Sequence, residues 1–132
     1  MSIAGITGKA LLVLGLLLLL AGCGSEKKAT LVIDLADVQA GSILSFDISD
    51  YDTGEELDSQ WLDNPGATTQ RHTLEFSSHD MPVVVEVSNI LGDVIIQYAK
   101  AITTIDGVPI ILDGGETINL SMALVVPTVD RD

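Results

Sequence analysis

Thr117-Ile118-Asn119-Leu120-Ser121-Met122-Ala123-Leu124-Val125-Val126-Pro127 decides the fold class. Ile118, Leu120, Met122, Leu124 and Val126 fall on one side of the run, and Thr117, Asn119, Ser121 and Ala123 on the other. A period of two is the spacing of a β-strand with one dry face, and Pro127 ends the run because it has no N–H to give to a ladder.

The same period recurs upstream. Leu31, Ile33 and Leu35 alternate with Val32, Asp34 and Ala36; Leu44, Phe46 and Ile48 with Ser45, Asp47 and Ser49; His72, Leu74 and Phe76 with Thr73 and Glu75. Val83, Val85 and Val87 continue it around Glu86 and Ser88, and Val94, Ile96, Tyr98 and Ile102 are expected inward around Gln97 and Ala101. Turn chemistry separates the runs at Ala40-Gly41, Asp52-Thr53-Gly54, Asn64-Pro65-Gly66, Gly92-Asp93, Asp106-Gly107 and Asp113-Gly114-Gly115. Seven or eight short strands with one apolar face each predict an all-β fold, an antiparallel β-sandwich or partly closed barrel over residues 29–127. Two sheets packed face to face cover the apolar faces that one open sheet would leave wet.

Two segments add a resemblance. Ser49-Asp50-Tyr51-Asp52-Thr53-Gly54-Glu55-Glu56-Leu57 is similar to the hairpin of transthyretin-like and related immunoglobulin-like domains, and Gly115-Glu116-Thr117-Ile118-Asn119-Leu120 to the opening of their closing strand. The resemblance implies a β-sandwich and no particular chemistry, since such modules serve as stalks, carriers and regulatory domains.

The amino-terminal part obeys other rules. Met1 to Lys9 carries one positive charge, and Ala10 to Leu20 is an unbroken apolar run. This is the order of a secretory signal peptide, expected to be helical, and the run is shorter than the roughly 20 residues that span a bilayer. It closes on Leu20-Ala21-Gly22-Cys23, which resembles the lipobox of bacterial lipoproteins. That resemblance implies cleavage between Gly22 and Cys23, removal of residues 1–22, and a diacylglyceryl thioether on Cys23 joined by an N-acyl chain such as palmitate. Two or more chains anchor stably where one binds marginally. Residues 23–28 then read as lipidated cysteine and tether. Gly24, standing where an aspartate would resemble an inner-membrane retention signal, favours the outer membrane in a Gram-negative host.

Cleavage leaves 110 residues, enough for one core, and the single cysteine leaves no partner for a disulfide. Five Lys and Arg remain against 19 Asp and Glu, a formal charge of −14. Such a surface disfavours nucleic acid and anionic headgroups; its plainest role is solubility. Residues 128–132 read as a frayed tail.

Candidate sites are few. Asp47, Asp50, Asp52, Glu55 and Glu56 crowd one hairpin and offer carboxylate oxygens of the kind calcium takes. Their spacing fails the EF-hand loop, since counting from Asp50 the fifth position is Gly54 and the twelfth Trp61. His72 and His79 are too few for zinc without cysteine, and His72 is expected as a core or edge histidine. Ser77-Ser78-His79-Asp80 are sequence neighbours, unlike triads, which converge in space. Trp61, expected in a loop beside Asp63 and Asn64, is the best recognition residue for a glycan or peptide, ahead of Tyr51 and Tyr98. The economy of a small core with 4% aromatic residues argues instead that Trp61 plugs one end of the sandwich.

The expectation is a lipid-anchored envelope protein whose sandwich binds an envelope partner or gives structural support, without catalysis and without a cofactor beyond its covalent lipid. The alternatives are a calcium- or glycan-binding lipoprotein using Asp50, Asp52, Glu55 or Trp61, and a small hydrolase built on Asp50 and Asp52. The hydrolase needs two acids with separated pKa values in a cleft, for which short turns leave little room.

Overall fold

The computed structural model describes residues 27–128, and all regular structure among them is β. The segment expected as signal peptide, Cys23, most of the expected tether, and residues 129–132 lie outside the described residues. The strands are β1 (Lys28–Ala36), β2 (Ile43–Asp50), β3 (Glu56–Asp63), β4 (Gln70–Ser77), β5 (Pro82–Leu91), β6 (Val94–Ala101), β7 (Ile110–Ile111) and β8 (Thr117–Ala123). They form two packed sheets, one ordered β4-β1-β8 and the other β3-β2-β5-β6, with β7 paired to β5 beside its first residues.

The alternation read from the sequence faces the gap between the sheets. Leu31, Ile33 and Leu35 of β1, Leu44, Phe46 and Ile48 of β2, Leu74 and Phe76 of β4, Val83, Val85 and Val87 of β5, and Leu120 and Met122 of β8 are all buried. Each such side chain contributes on the order of 1.5–3 kcal/mol through removal from water.

One pairing departs from the antiparallel rule. β1 and β8 run parallel, Ile33 opposite Leu120. Parallel neighbours need a crossover, and here the whole domain supplies it: β8 enters from β7 at the end where β1 begins, so both strands start together. β1 and β2 lie in different sheets, unlike the first two strands of an immunoglobulin constant domain, which share one.

Three readings are corrected. In β6 the inward residues are Gln97 and Ala99, while Val94, Tyr98 and, just beyond the strand, Ile102 are exposed and Ile96 is only half-buried. A register irregularity at Asn89/Ile90 shifts the strand, and hydrogen bonds to Gln97 outweigh the apolar preference of its neighbours. Val126 is exposed, because β8 ends at Ala123 and the chain leaves the small sheet to bridge β6, Tyr98 N donating to Val125 O (2.9 Å) and Val125 N to Tyr98 O (3.0 Å). Trp61 lies in β3 rather than in a loop, and at 65% exposure it plugs no core. Ser45 stands opposite it on β2, and core residue Leu44 stands opposite Leu62, so the strand's phase turns the indole outward.

The sandwich has two ends. At the lower end β1 begins, and the β2–β3, β4–β5, β6–β7 and β7–β8 connections turn; at the upper end lie the β1–β2, β3–β4 and β5–β6 connections.

Candidate functional site

The upper end is held by amides. Asn89, fully buried on β5, donates through Nδ2 to Gln39 O (2.9 Å) and Gln97 Oε1 (2.9 Å), and its Oδ1 accepts from Asn64 Nδ2 (3.1 Å). Gln97 Nε2 donates to Asp37 O (2.7 Å) and its Oε1 also accepts from Gln39 N (2.8 Å). Asn64 Nδ2 reaches Gln39 O (3.1 Å), and its Oδ1 accepts from Gln70 Nε2 (3.0 Å) and Gly66 N (2.8 Å). These bonds tie the β1–β2 and β3–β4 loops to β5 and β6. Asp37 takes a left-handed φ of 62° there, and a Cβ on Gly41 would collide with Asn89 Oδ1. The amides spend their donors and acceptors on one another and on loop carbonyls, so the cluster is a clamp.

His72 joins its margin. Its Nε2–H donates to Gln70 Oε1 (2.7 Å), and its ring meets Phe46 edge-on at 5.5 Å. Partial burial pushes its pKa below the usual histidine value. His79 sits in the β4–β5 loop at the other end of β4, its backbone N donating to Leu112 O, so the two histidines do not meet.

The acidic hairpin is organised by its own backbone. Asp50 Oδ1 accepts from Asp52 N (2.8 Å) and Thr53 N (3.2 Å), Gly54 N donates to Asp50 O, and Thr53 Oγ1 accepts from Glu55 N. Asp50 is the side-chain mimic of a turn. Asp52 and Glu55 are exposed beside it. Asp47 is directed elsewhere, its two oxygens accepting from Ser59 Oγ (2.7 Å) and Ser45 Oγ (3.3 Å). Among the described residues, no three of His, Cys, Asp and Glu converge as a metal site.

Trp61 belongs to the outer face of the four-stranded sheet. Register places Trp61, Ser45, Ser88 and Tyr98 in one row across β3, β2, β5 and β6. Both serines are buried although the strand phase sets them on the outer face. The row ends in two exposed aromatic residues separated by three strand spacings, about 14 Å.

Below this row lies a shallow apolar cleft of about 190 Å³, lined by Tyr51, Pro82, Ile102, Thr103 and Pro109. Thr103 and Pro109 bridge the base of the β6–β7 loop, and Thr104 closes it, its N donating to Val108 O (2.8 Å) and its Oγ1 accepting from Asp106 N (3.2 Å). Such a lining takes an apolar group and supplies no acid–base pair.

On the small sheet, Arg71 grips Asp34 with two hydrogen bonds of 2.7 and 3.1 Å; the hydrogen bond holds the Asp34 carboxyl below the usual carboxylate range and raises Arg71. Both side chains are solvated, which screens the pair.

No protein-family model matches the chain, and no curated protein and no solved structure matches it either. The amide clamp and the cleft are what the sequence reading missed. Gln97 was hidden by its apolar neighbours, and only the number of amides near predicted turns signalled a clamp. The cleft joins residues from three connections, which strand periodicity does not register.

Proposed function

We propose that the chain is a bacterial lipoprotein, anchored in the cell envelope through acyl chains on Cys23, whose β-sandwich acts by binding or structural support without chemistry of its own. The observation that carries this is Leu20-Ala21-Gly22-Cys23 at the end of an apolar run, followed within five residues by the first strand of a folded domain. The non-catalytic part is supported by how the polar side chains are used: the buried amides are spent on one another and on loop backbone, and Asp50 on a turn. The transthyretin-like reading of the domain rests on the sequence stretches Ser49–Leu57 and Gly115–Leu120. The test is membrane fractionation of cells expressing the wild-type chain or Cys23→Ser. The anchor reading expects the wild type in membranes and the variant released; retention of the variant contradicts it.

A second reading, glycan recognition, is favoured by the outward Trp61 and Tyr98 on one row of a flat sheet. Trp61 is the sole tryptophan, so its emission reports directly. Titration with envelope-type oligosaccharides that leaves the emission unchanged removes this reading.

A further inference from the structure

The first strand fixes where the tether leaves the domain. Lys28 pairs with Ser77 at the lower end, and Lys28 O accepts from Gly115 N (3.0 Å). A Cβ on Gly114 would stand 2.7 Å from Lys27 Cβ, so the β7–β8 turn and the residue leading into β1 are packed against each other. From Cys23 to Lys28 there are five peptide steps, which span at most about 18 Å. A lipid on Cys23 therefore holds the lower end at the bilayer surface.

That end is apolar where it need not be. Tyr51, Ile102, Val108 and Ile111 are exposed around the cleft lined by Tyr51, Pro82, Ile102 and Pro109. The upper end also exposes apolar side chains, Leu91, Val94 and Ile95. It stands the length of an eight-residue strand further from the anchor, about 27 Å, so the tether brings only the lower group to lipid. Around the lower group lie Asp52, Glu55, Asp80, Asp106, Asp113 and Glu116 against Lys27 and Lys28. This charge balance opposes anionic headgroups and suits a zwitterionic surface.

We infer that the lower end is a second membrane contact: Tyr51, Ile102, Val108 and Ile111 seat in the headgroup region of a zwitterionic bilayer and hold the sandwich upright on its anchor. The inference rests on the lipoprotein reading. The acyl chains keep the protein on the membrane, while these side chains fix its orientation and bring the outer row of Trp61 and Tyr98 to a defined height.

The test uses the full lipidated protein in phosphatidylcholine vesicles. Cys23 is the only cysteine and its thiol is consumed by the lipid, so Val108→Cys or Leu91→Cys accepts one polarity-sensitive fluorophore. Both positions are about half exposed, and circular dichroism checks that each variant keeps its β-structure. The expected result is a blue-shifted label at 108, quenched by brominated acyl chains, with a water-like label at 91; replacing half the lipid by an anionic one weakens the shift at 108. A water-like label at 108 in protein whose mass includes the acyl chains overturns the inference and leaves the anchor standing. Equal quenching at both positions also overturns it, since the domain then lies on its side. A label at 108 shielded in native envelopes but not in vesicles assigns the patch to a protein and overturns the lipid assignment. A chain without acyl mass removes the anchor and this inference together.

Discussion

Asn89→Ala tests the reading of the upper end as a clamp. Asn89 is fully buried and makes three side-chain hydrogen bonds, to Gln39 O, to Gln97 Oε1 and from Asn64 Nδ2. Each former partner keeps another bond: Gln39 O still accepts from Asn64 Nδ2, Gln97 Oε1 from Gln39 N, and Asn64 Nδ2 still reaches Gln39 O. The cost is therefore close to three net hydrogen bonds rather than three stranded groups, about 3 kcal/mol at roughly 1 kcal/mol each. For a domain of about a hundred residues, 1 kcal/mol moves Tm by roughly 4–8 °C, so the expected drop is about 12–24 °C. The assay is urea unfolding of the residue 24–132 domain, followed by circular dichroism, with a thermal melt alongside. Asn119→Ala, exposed on β8 and outside the network, serves as the control and is expected to move stability by less than about 0.5 kcal/mol. A loss below about 1 kcal/mol for Asn89→Ala, or equal losses for the two variants, refutes the clamp.

Three further outcomes follow from the same geometry. Gly41→Ala drives a methyl group into the pinned Asn89 amide and is expected to cost about 1–3 kcal/mol in urea unfolding, and an unchanged stability contradicts the collision. Trp61 is expected to emit as a water-exposed indole and to be quenched by iodide in the native state; a blue, protected emission contradicts its outward placement. His72 has a pKa lowered by burial from the ordinary 6.5, so the unfolded chain binds its proton more readily than the folded one. Its contribution to stability is complete above about pH 6.5 and is lost as pH falls below that value toward the depressed folded pKa; His72→Gln is expected to flatten the fall in unfolding stability below about pH 6.5, and an unchanged slope refutes the assignment.

Most of the fold was legible because each β-strand carries its packing in alternation. β1, β2 and β5 bury the residues their period marked, and in β4 and β8 Leu74, Phe76, Leu120 and Met122 are buried while His72 and Ile118 are half-buried. β6 was illegible for a definite reason: Val94, Ile95 and Ile96 give a continuous apolar run without phase, and the side chain that goes inside, Gln97, is chosen by hydrogen bonds from residues 8 and 58 positions away. Trp61 failed differently, because Asp58, Gln60, Asp63 and Asn64 around it carry no strand signal, and pairing with β2 alone makes Glu56–Asp63 a strand. The parallel β1–β8 pair was likewise beyond local reading, as it depends on which sheet each strand joins. Of the candidate sites, the Asp50 turn was legible from its Asp-Thr-Gly chemistry, while the lower cleft depends on Tyr51, Pro82 and Pro109 meeting across the chain.

In the proposed reading, an anchor on Cys23 sets both the location and the orientation of the domain. The most direct measurement is the intact mass, with amino-terminal fragment sequencing, of the wild-type protein extracted from membranes. The account predicts a chain that begins at Cys23 and is heavier by a diacylglyceryl group and an N-acyl chain. An unmodified chain that retains residues 1–22 contradicts it.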